Sequence, residues 1–237
     1  MVGNIVDERI LAIESLRALR KYLKYRELEN YLNLPGPVLW RYITGKVEPT
    51  VDRAKEILEA IISKGIVRDI VSRQINILNK HIVNTYKVVY DVSILKLIAL
   101  EAYYHFKKYH PTAITTVEVD GIPVALSVAN LFNTKVIVAK KVKELGFKDY
   151  IEHTYMQGDP PSLVTLYIPS ELIKPQDNVL IVDDLLRSGR TIKTLIEMLV
   201  KAKAKVIGVF AVIAVGTQWR KILEDLVDEI YVIHQII

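Results

Sequence analysis

The chain has 237 residues, 51% apolar and 25% charged, with no cysteine and a net charge of +5. This is the balance of a globular protein with a substantial core. It excludes a disulfide scaffold and a thiolate metal site, and no apolar run approaches the ~20 residues that span a bilayer. Residues 1–9 carry acids and no apolar stretch, so they do not read as a signal peptide, and a cytoplasmic protein is expected. The five histidines show no ligand spacing. Absent Cys and abundant Ile, Lys and Glu lean towards a thermophilic source.

From Asp7 to Leu23, Ile10, Ile13, Leu16, Leu19 and Leu23 recur at helical spacing. A second helix fits Arg26 to Leu32, with Leu28, Tyr31 and Leu32 inward. Leu34-Pro35-Gly36-Pro37 supplies a turn, and Pro37 suits the first turn of a third helix through Ile43, which Gly45 ends. Thr50 can cap a fourth helix, Val51 to Ser63, with Ala54, Ile57, Leu58 and Ile61 towards a core. Residues 17–46 hold seven basic side chains against two acidic ones, an excess equal to that of the whole chain. Concentrated charge of this kind suits a polyanion partner; a solvated helix face is the plain alternative.

Val38-Leu-Trp-Arg-Tyr-Ile-Thr-Gly-Lys46 with Pro49 resembles the helix-turn-helix of the phage repressor and Cro type. The resemblance implies a DNA-binding domain over residues 1–65, with Leu39 in its core and Gly36, Pro37 and Arg41 where base edges are read. Arg41 alone has a long donor fork and is the candidate guanine contact. Arg26, Trp40 and Lys46 are the candidate phosphate contacts. A purely structural four-helix cap is the competing expectation.

A helical connector is expected from about Ile66 to Tyr90, followed by a helix from Asp91 to Lys108. Strands are then expected at Ala113–Val119, Lys135–Lys141, Ser162–Pro169, Asn178–Asp183, Lys205–Val215 and Glu229–Ile233. Helices fit Ile122–Phe132, Thr191–Lys203 and Gln218–Leu226. The alternation argues for an α/β domain over residues 66–237, an open, mostly parallel sheet with helices on both faces. Polar residues 142–161, with Gly146, Gly158 and Pro160-Pro161, read as a mobile flap.

The run Val179 to Thr191 is a β-branched strand ending in Asp183 and Asp184, then Leu185, Leu186, Arg187, Ser188, Gly189 and Arg190, then a helix from Thr191. Two acids at a strand's carboxyl end beside a helix N-terminus suit a ligand with both hydroxyls and a phosphate. Adjacent strand residues point opposite ways, so one acid can face the ligand while the other anchors the loop. Gly189 allows close approach of backbone to an anion, and the Ser188 and Thr191 hydroxyls can join the N–H groups around it. No Gly-Lys-Ser/Thr follows, which excludes a Walker-type loop. Glu118-Val119-Asp120-Gly121 forms a second strand end running into a helix. Lys140 and Lys141 form a basic strand end, with Tyr155 nearby in the flap.

This segment resembles the phosphoribosyl pyrophosphate (PRPP) motif of type I phosphoribosyltransferases, and residues 66–237 resemble the purine, especially xanthine, enzymes. The resemblance implies that Asp183 and Asp184 meet the ribose hydroxyls of PRPP, directly or through Mg²⁺. It also implies that 118–123 is the pyrophosphate loop, sometimes holding a non-proline cis peptide, that Lys140 and Lys141 can neutralise pyrophosphate with Tyr155 nearby, and that Asn79 contacts the base. Where the purine enzymes carry Glu-Lys after the Gly208–Ile213 strand, this chain has Ala214-Val215, so Val215 stands in the base pocket without the usual donor. Trp219 reads as a core or interface residue. A repressor-like head on such a domain resembles archaeal phosphoribosyltransferase-like transcription regulators and the bacterial purine repressor. That implies a homodimeric regulator of nucleotide metabolism, binding operator DNA and sensing PRPP or a purine nucleotide. The alternative is an active purine phosphoribosyltransferase, with Asp183 and Asp184 in its catalytic centre and a regulatory head.

Overall fold

The computed structural model describes residues 6–79, 82–158 and 160–237, the side chains of residues 78, 79 and 82 excepted. Two compact units divide it, Met1–Tyr104 and His105–Ile237. Among the described residues no helix is long and apolar enough to cross a membrane.

The first unit opens with helices α1 (Glu8–Arg20), α2 (Tyr25–Leu32), α3 (Gly36–Ile43) and α4 (Val51–Ser63). Each boundary has a chemical cause. Asp7 accepts the N–H of Arg9 at the head of α1, and Thr50 accepts that of Arg53 at the head of α4. Asn33, in the left-handed conformation, ends α2. Ala12, Leu16, Leu19, Leu28, Leu39, Ala54, Leu58 and Ile61 are almost wholly buried, so one stripe of each helix makes the core. Ile10 has the right spacing but stays 59% exposed in the first turn of α1. Arg17 donates from Nε to the carbonyl of Ile43 at 2.9 Å, fixing the end of α3 to α1.

Beyond residue 65 the expected helical connector is only partly helical. After α5 (Ile66–Gln74) come an antiparallel hairpin, β1 (Asn76–Asn79) with β2 (Ile82–Asn84), and the short helix α6 (Tyr86–Val89). Asn and β-branched residues in this stretch favour turns and strands over continued helix. Helix α7 (Val92–Phe106) starts at Asp91, which accepts the N–H groups of Ser93 and Ile94. Its beginning is tied to α1 by Lys96 with Glu14 at 2.6 Å and Lys21 with Asp91 at 3.6 Å. The first unit therefore continues past residue 65 to Tyr104.

The second unit holds a parallel sheet of β3 (Ala113–Val117), β4 (Lys135–Ala139), β7 (Asn178–Leu186), β8 (Lys205–Val215) and β9 (Ile230–Ile236) in the order β4-β3-β7-β8-β9. From β3 the chain passes through α8 (Gly121–Phe132) to β4 on one side. From β7 it passes through α9 (Arg190–Lys201) to β8 in the opposite direction. Right-handed crossovers in opposite directions put the two helices on opposite faces. Strands β7 and β8 are buried on both faces, which explains their unbroken apolar runs.

One strand expectation and the flap expectation need correction. Ser162–Pro169 (β6) is not in the parallel sheet; it pairs antiparallel with β5 (Tyr150–Gln157), inside the segment read as a flap. A bridge between Lys140 and Tyr167 is its link to β4. Along β5, Ile151, His153 and Tyr155 are half-buried while Glu152, Thr154 and Met156 are exposed. Each face mixes apolar and polar types, which hides the period-two signal.

Candidate functional site

A doubly wound sheet binds its ligand where the strand order reverses, at the carboxyl ends of the strands. Here that point lies between β3 and β7, and both strand ends carry the residues singled out from sequence. After β3 the peptide between Glu118 and Val119 is cis, and Gly121 begins α8. Gly121 lies so close to its neighbours that a Cβ there would sit 2.2 Å from Oγ1 of Thr116 and 3.4 Å from Oδ1 of Asp183. The missing side chain is what brings the β3 loop against the β7 acids.

Strand β7 runs past the expected end to Leu186, so both aspartates remain within it. Asp183 lines a cavity of about 610 Å³ together with Leu185, Leu186 and residues 187–192. Asp184 is 9% exposed, and its N–H donates to Oδ1 of Asp183 at 3.1 Å. Burial, and then the neighbouring Asp184 carboxylate, push the Asp183 carboxyl well above the usual range. Among the described residues no cation is paired with Asp183.

Gly189, at φ +81°, stands before α9 without a side chain to cap its first turn. Its Cα side faces Leu223 and Trp219: a Cβ would lie 3.1 Å and 3.3 Å from their atoms. Trp219 is 1% exposed and donates from Nε1 to the carbonyl of Gly216, so it belongs to the core beneath the loop. Oγ of Ser188 accepts the N–H of Arg190, and the Tyr155 hydroxyl meets Oγ1 of Thr191 at 3.0 Å. Tyr155, expected beside Lys140 and Lys141, thus touches the Ser188–Thr191 loop instead. Burial raises its pKa, offset by Thr191 and reinforced by the charge of Asp183.

The two lysines separate. Lys140 pairs with Glu144 and lines another cavity with Tyr150 and Tyr167. Lys141 instead gives its backbone N–H to Oε1 of Glu118 at 2.7 Å, tying β4 to the β3 loop. Val119 is 65% exposed. Beyond β8, the side-chain amide of Gln235 donates to the carbonyls of Ala214 and Gly216. The Asn79 side chain lies outside the described residues. Gln157, Gly158 and Gln218 also line the Asp183 cavity; the first two follow directly once β5 is known to end there.

In the first unit, Pro37, Trp40 and Arg41 stand at i, i+3 and i+4 on α3 and are all exposed, opposite buried Leu39. Nζ of Lys46 sits 4.3 Å from the centre of the Trp40 ring. Arg26 is exposed on α2, and the Gly36 N–H is taken by the Glu29 carboxylate. Not all of the basic run is available to a partner. Arg17 serves Ile43 and Glu14, Arg20 serves the Leu23 carbonyl and the Tyr25 ring, and Lys21 pairs with Asp91.

Comparison with known proteins bears on the family and the fold. The phosphoribosyl transferase domain family matches residues 89–235. Xanthine phosphoribosyltransferase of Lachnoclostridium phytofermentans is 31% identical over 129 residues, 54% of this chain and 66% of that protein. The purine biosynthesis transcriptional repressor PurR of Bacillus subtilis is 30% identical over 116 residues, 49% of this chain and 39% of the repressor. The match to the xanthine enzyme of Lactococcus lactis spans about half of that enzyme's length, at 52%. Among solved structures, adenine phosphoribosyltransferase from Giardia lamblia superposes with a TM-score of 0.64 at 17% identity, covering 71% of this chain and 97% of that one. At that identity the likeness concerns the fold.

Proposed function

The chain belongs to the phosphoribosyl transferase domain family, and from that premise we propose that it is a DNA-binding transcription regulator whose effector is PRPP or a purine nucleotide. The observation that carries this reading is where the ligand cradle stops. Acids, pyrophosphate loop and phosphate loop are present, but the strand end that would face a purine offers Ala214 and Val215, and Gln235 already holds the carbonyls of Ala214 and Gly216. A site that lacks the polar group a substrate needs loses both orientation and discrimination.

Asp183, half-buried at the cavity wall with no cation beside it among the described residues, and Asp184 are hard oxygen donors that fit Mg²⁺ carried in with PRPP. When bound, the cation neutralises phosphate charge. Ser188, Thr191 and the N–H groups of the α9 N-terminus hold the 5-phosphate, while residues 118–121 face the pyrophosphate.

Residues 1–65 supply the helix-turn-helix head. Arg41 reads a base, while Arg26, Trp40 and Lys46 hold phosphates, with Gly36 and Pro37 at the groove. In a homodimer two heads meet two half-sites, and ligand binding changes DNA affinity by linkage. The PurR relative supports this pairing of a phosphoribosyltransferase-like domain with repression.

The test is pyrophosphate release from PRPP and Mg²⁺ with each common purine base and orotate, using an Asp183→Asn, Asp184→Asn double variant as blank. Expected are no turnover above the blank, a PRPP-dependent rise in melting temperature that the double variant lacks, and recovery of a consensus duplex from a random DNA pool. Turnover well above the blank would make the chain an enzyme instead.

A further inference from the structure

Beside the Asp183 cavity lies a second, of about 720 Å³, between β5 and α9. Gly158 and Arg190 line both, so the two share a rim at the phosphate loop. Arg190 and Lys193 are one turn apart on α9, and both face this groove. His153, across the groove on β5, lies 3.4 Å and Lys193 3.8 Å from the carboxylate of Glu197 on α9, loose pairs between half-exposed side chains. Arg190 has no carboxylate partner among the described residues. Among the described residues, two fixed cations, Arg190 and Lys193, thus face one acid in this groove.

A monophosphate seated on Ser188, Gly189 and Thr191 has its partners in hydroxyls and N–H groups, and leaves these cations unused. A phosphate chain leading away from that seat along α9 would meet Arg190 first and Lys193 a turn later. We propose that the effector is a nucleoside 5′-diphosphate or triphosphate, with its first phosphate in the loop and the next in the β5–α9 groove on Arg190 and Lys193. This rests on the sensor reading above and gives its ligand a class. Charge-assisted bonds from Arg and Lys to phosphate are the strong kind, so the added phosphate contributes measurably to affinity.

Titration calorimetry on the full chain in excess Mg²⁺ tests it, with GMP, GDP and GTP, the adenine series in parallel, PRPP, and pyrophosphate alone. In at least one base series the diphosphate binds about tenfold tighter than the monophosphate, and Lys193→Ala cuts that preference below about threefold without changing monophosphate affinity. Glu197→Gln acts oppositely, raising diphosphate affinity about threefold by removing the groove's acid. Both side chains are half-exposed, and an unchanged monophosphate affinity certifies the fold of each variant.

Equal affinity for mono- and diphosphates would overturn the proposal while leaving the sensor intact. So would pyrophosphate alone binding as tightly as the diphosphate, or a Lys193→Ala loss shared equally by both ligands. No binding of PRPP or any nucleotide would bring down the sensor reading itself.

Discussion

Alanine at Gly121 probes whether the two acid-bearing loops are held together by the lack of a side chain. The new methyl would start 2.2 Å from Oγ1 of Thr116, a residue with no exposed surface in a strand paired on both sides. Thr116 cannot swing away, so the strand end or the first turn of α8 must yield by about 1 Å to restore ordinary contact. Overpacking of this kind costs about 2–3 kcal/mol, which in a chain of this size lowers the melting midpoint by roughly 5–10 °C. The displaced loop also presses on Asp183, so the PRPP-dependent thermal shift should shrink. The assay is calorimetric melting with and without PRPP, for Gly121→Ala, Thr116→Ala and the double variant. Thr116→Ala removes the clashing oxygen and leaves Cβ at 3.5 Å, an ordinary contact. The double variant should therefore be no less stable than Thr116→Ala by more than about 0.5 kcal/mol, a strongly non-additive cycle. A Gly121→Ala midpoint within about 1 °C of the parent, or strict additivity, would refute the packing account.

Two further outcomes follow from other parts of the chain. Arg41→Ala should weaken binding to the selected duplex by about ten- to a hundredfold and relax one position, whereas Lys46→Ala should weaken all sequences alike and lower the salt slope by about one. Identical behaviour of the two variants in salt-dependent anisotropy would remove Arg41 from base recognition. At the base of β7, burial alone would raise the Asp177 pKa, but Lys135 at 2.7 Å, the Lys174 N–H and the Thr112 hydroxyl outweigh it and hold the carboxyl below 3.8. A carboxyl with a lowered folded pKa stabilises above its unfolded pKa and loses that contribution as pH falls through the folded value. Asp177→Asn should cost about 2 kcal/mol at pH 7, with the gap to the parent closing below about pH 4. A gap that stays constant down to pH 2 in urea titrations would contradict this.

Strand, acids, glycine and helix at 178–201 were legible because one short segment carries all the signals: a β-branched run, paired carboxylates and a loop glycine. The four N-terminal helices were legible for a similar reason, since Asp7, Pro37, Gly45 and Thr50 punctuate them. What escaped were features decided by distant partners. The β5 strand alternates in exposure but not in chemistry, so its pairing with β6 had no sequence signature. Lys140 and Lys141 are neighbours in sequence, yet one is held by Glu144 and the other works through its backbone. Nor does a count of charges reveal that Arg17 and Arg20 are engaged with carbonyls inside the head.

The two tryptophans give the chain an optical property. Trp219 is sealed under the Gly189 loop, whereas Trp40 is 41% exposed beneath the Lys46 ammonium on α3. Their indole emission therefore comes from opposite surroundings, an apolar one at short wavelength and an aqueous one at long wavelength. Replacing either with phenylalanine leaves a label-free lamp in one place, Trp219 lighting the Gly189 loop and Trp40 the exposed face of α3. A change at either surface becomes readable in a cuvette, without a dye.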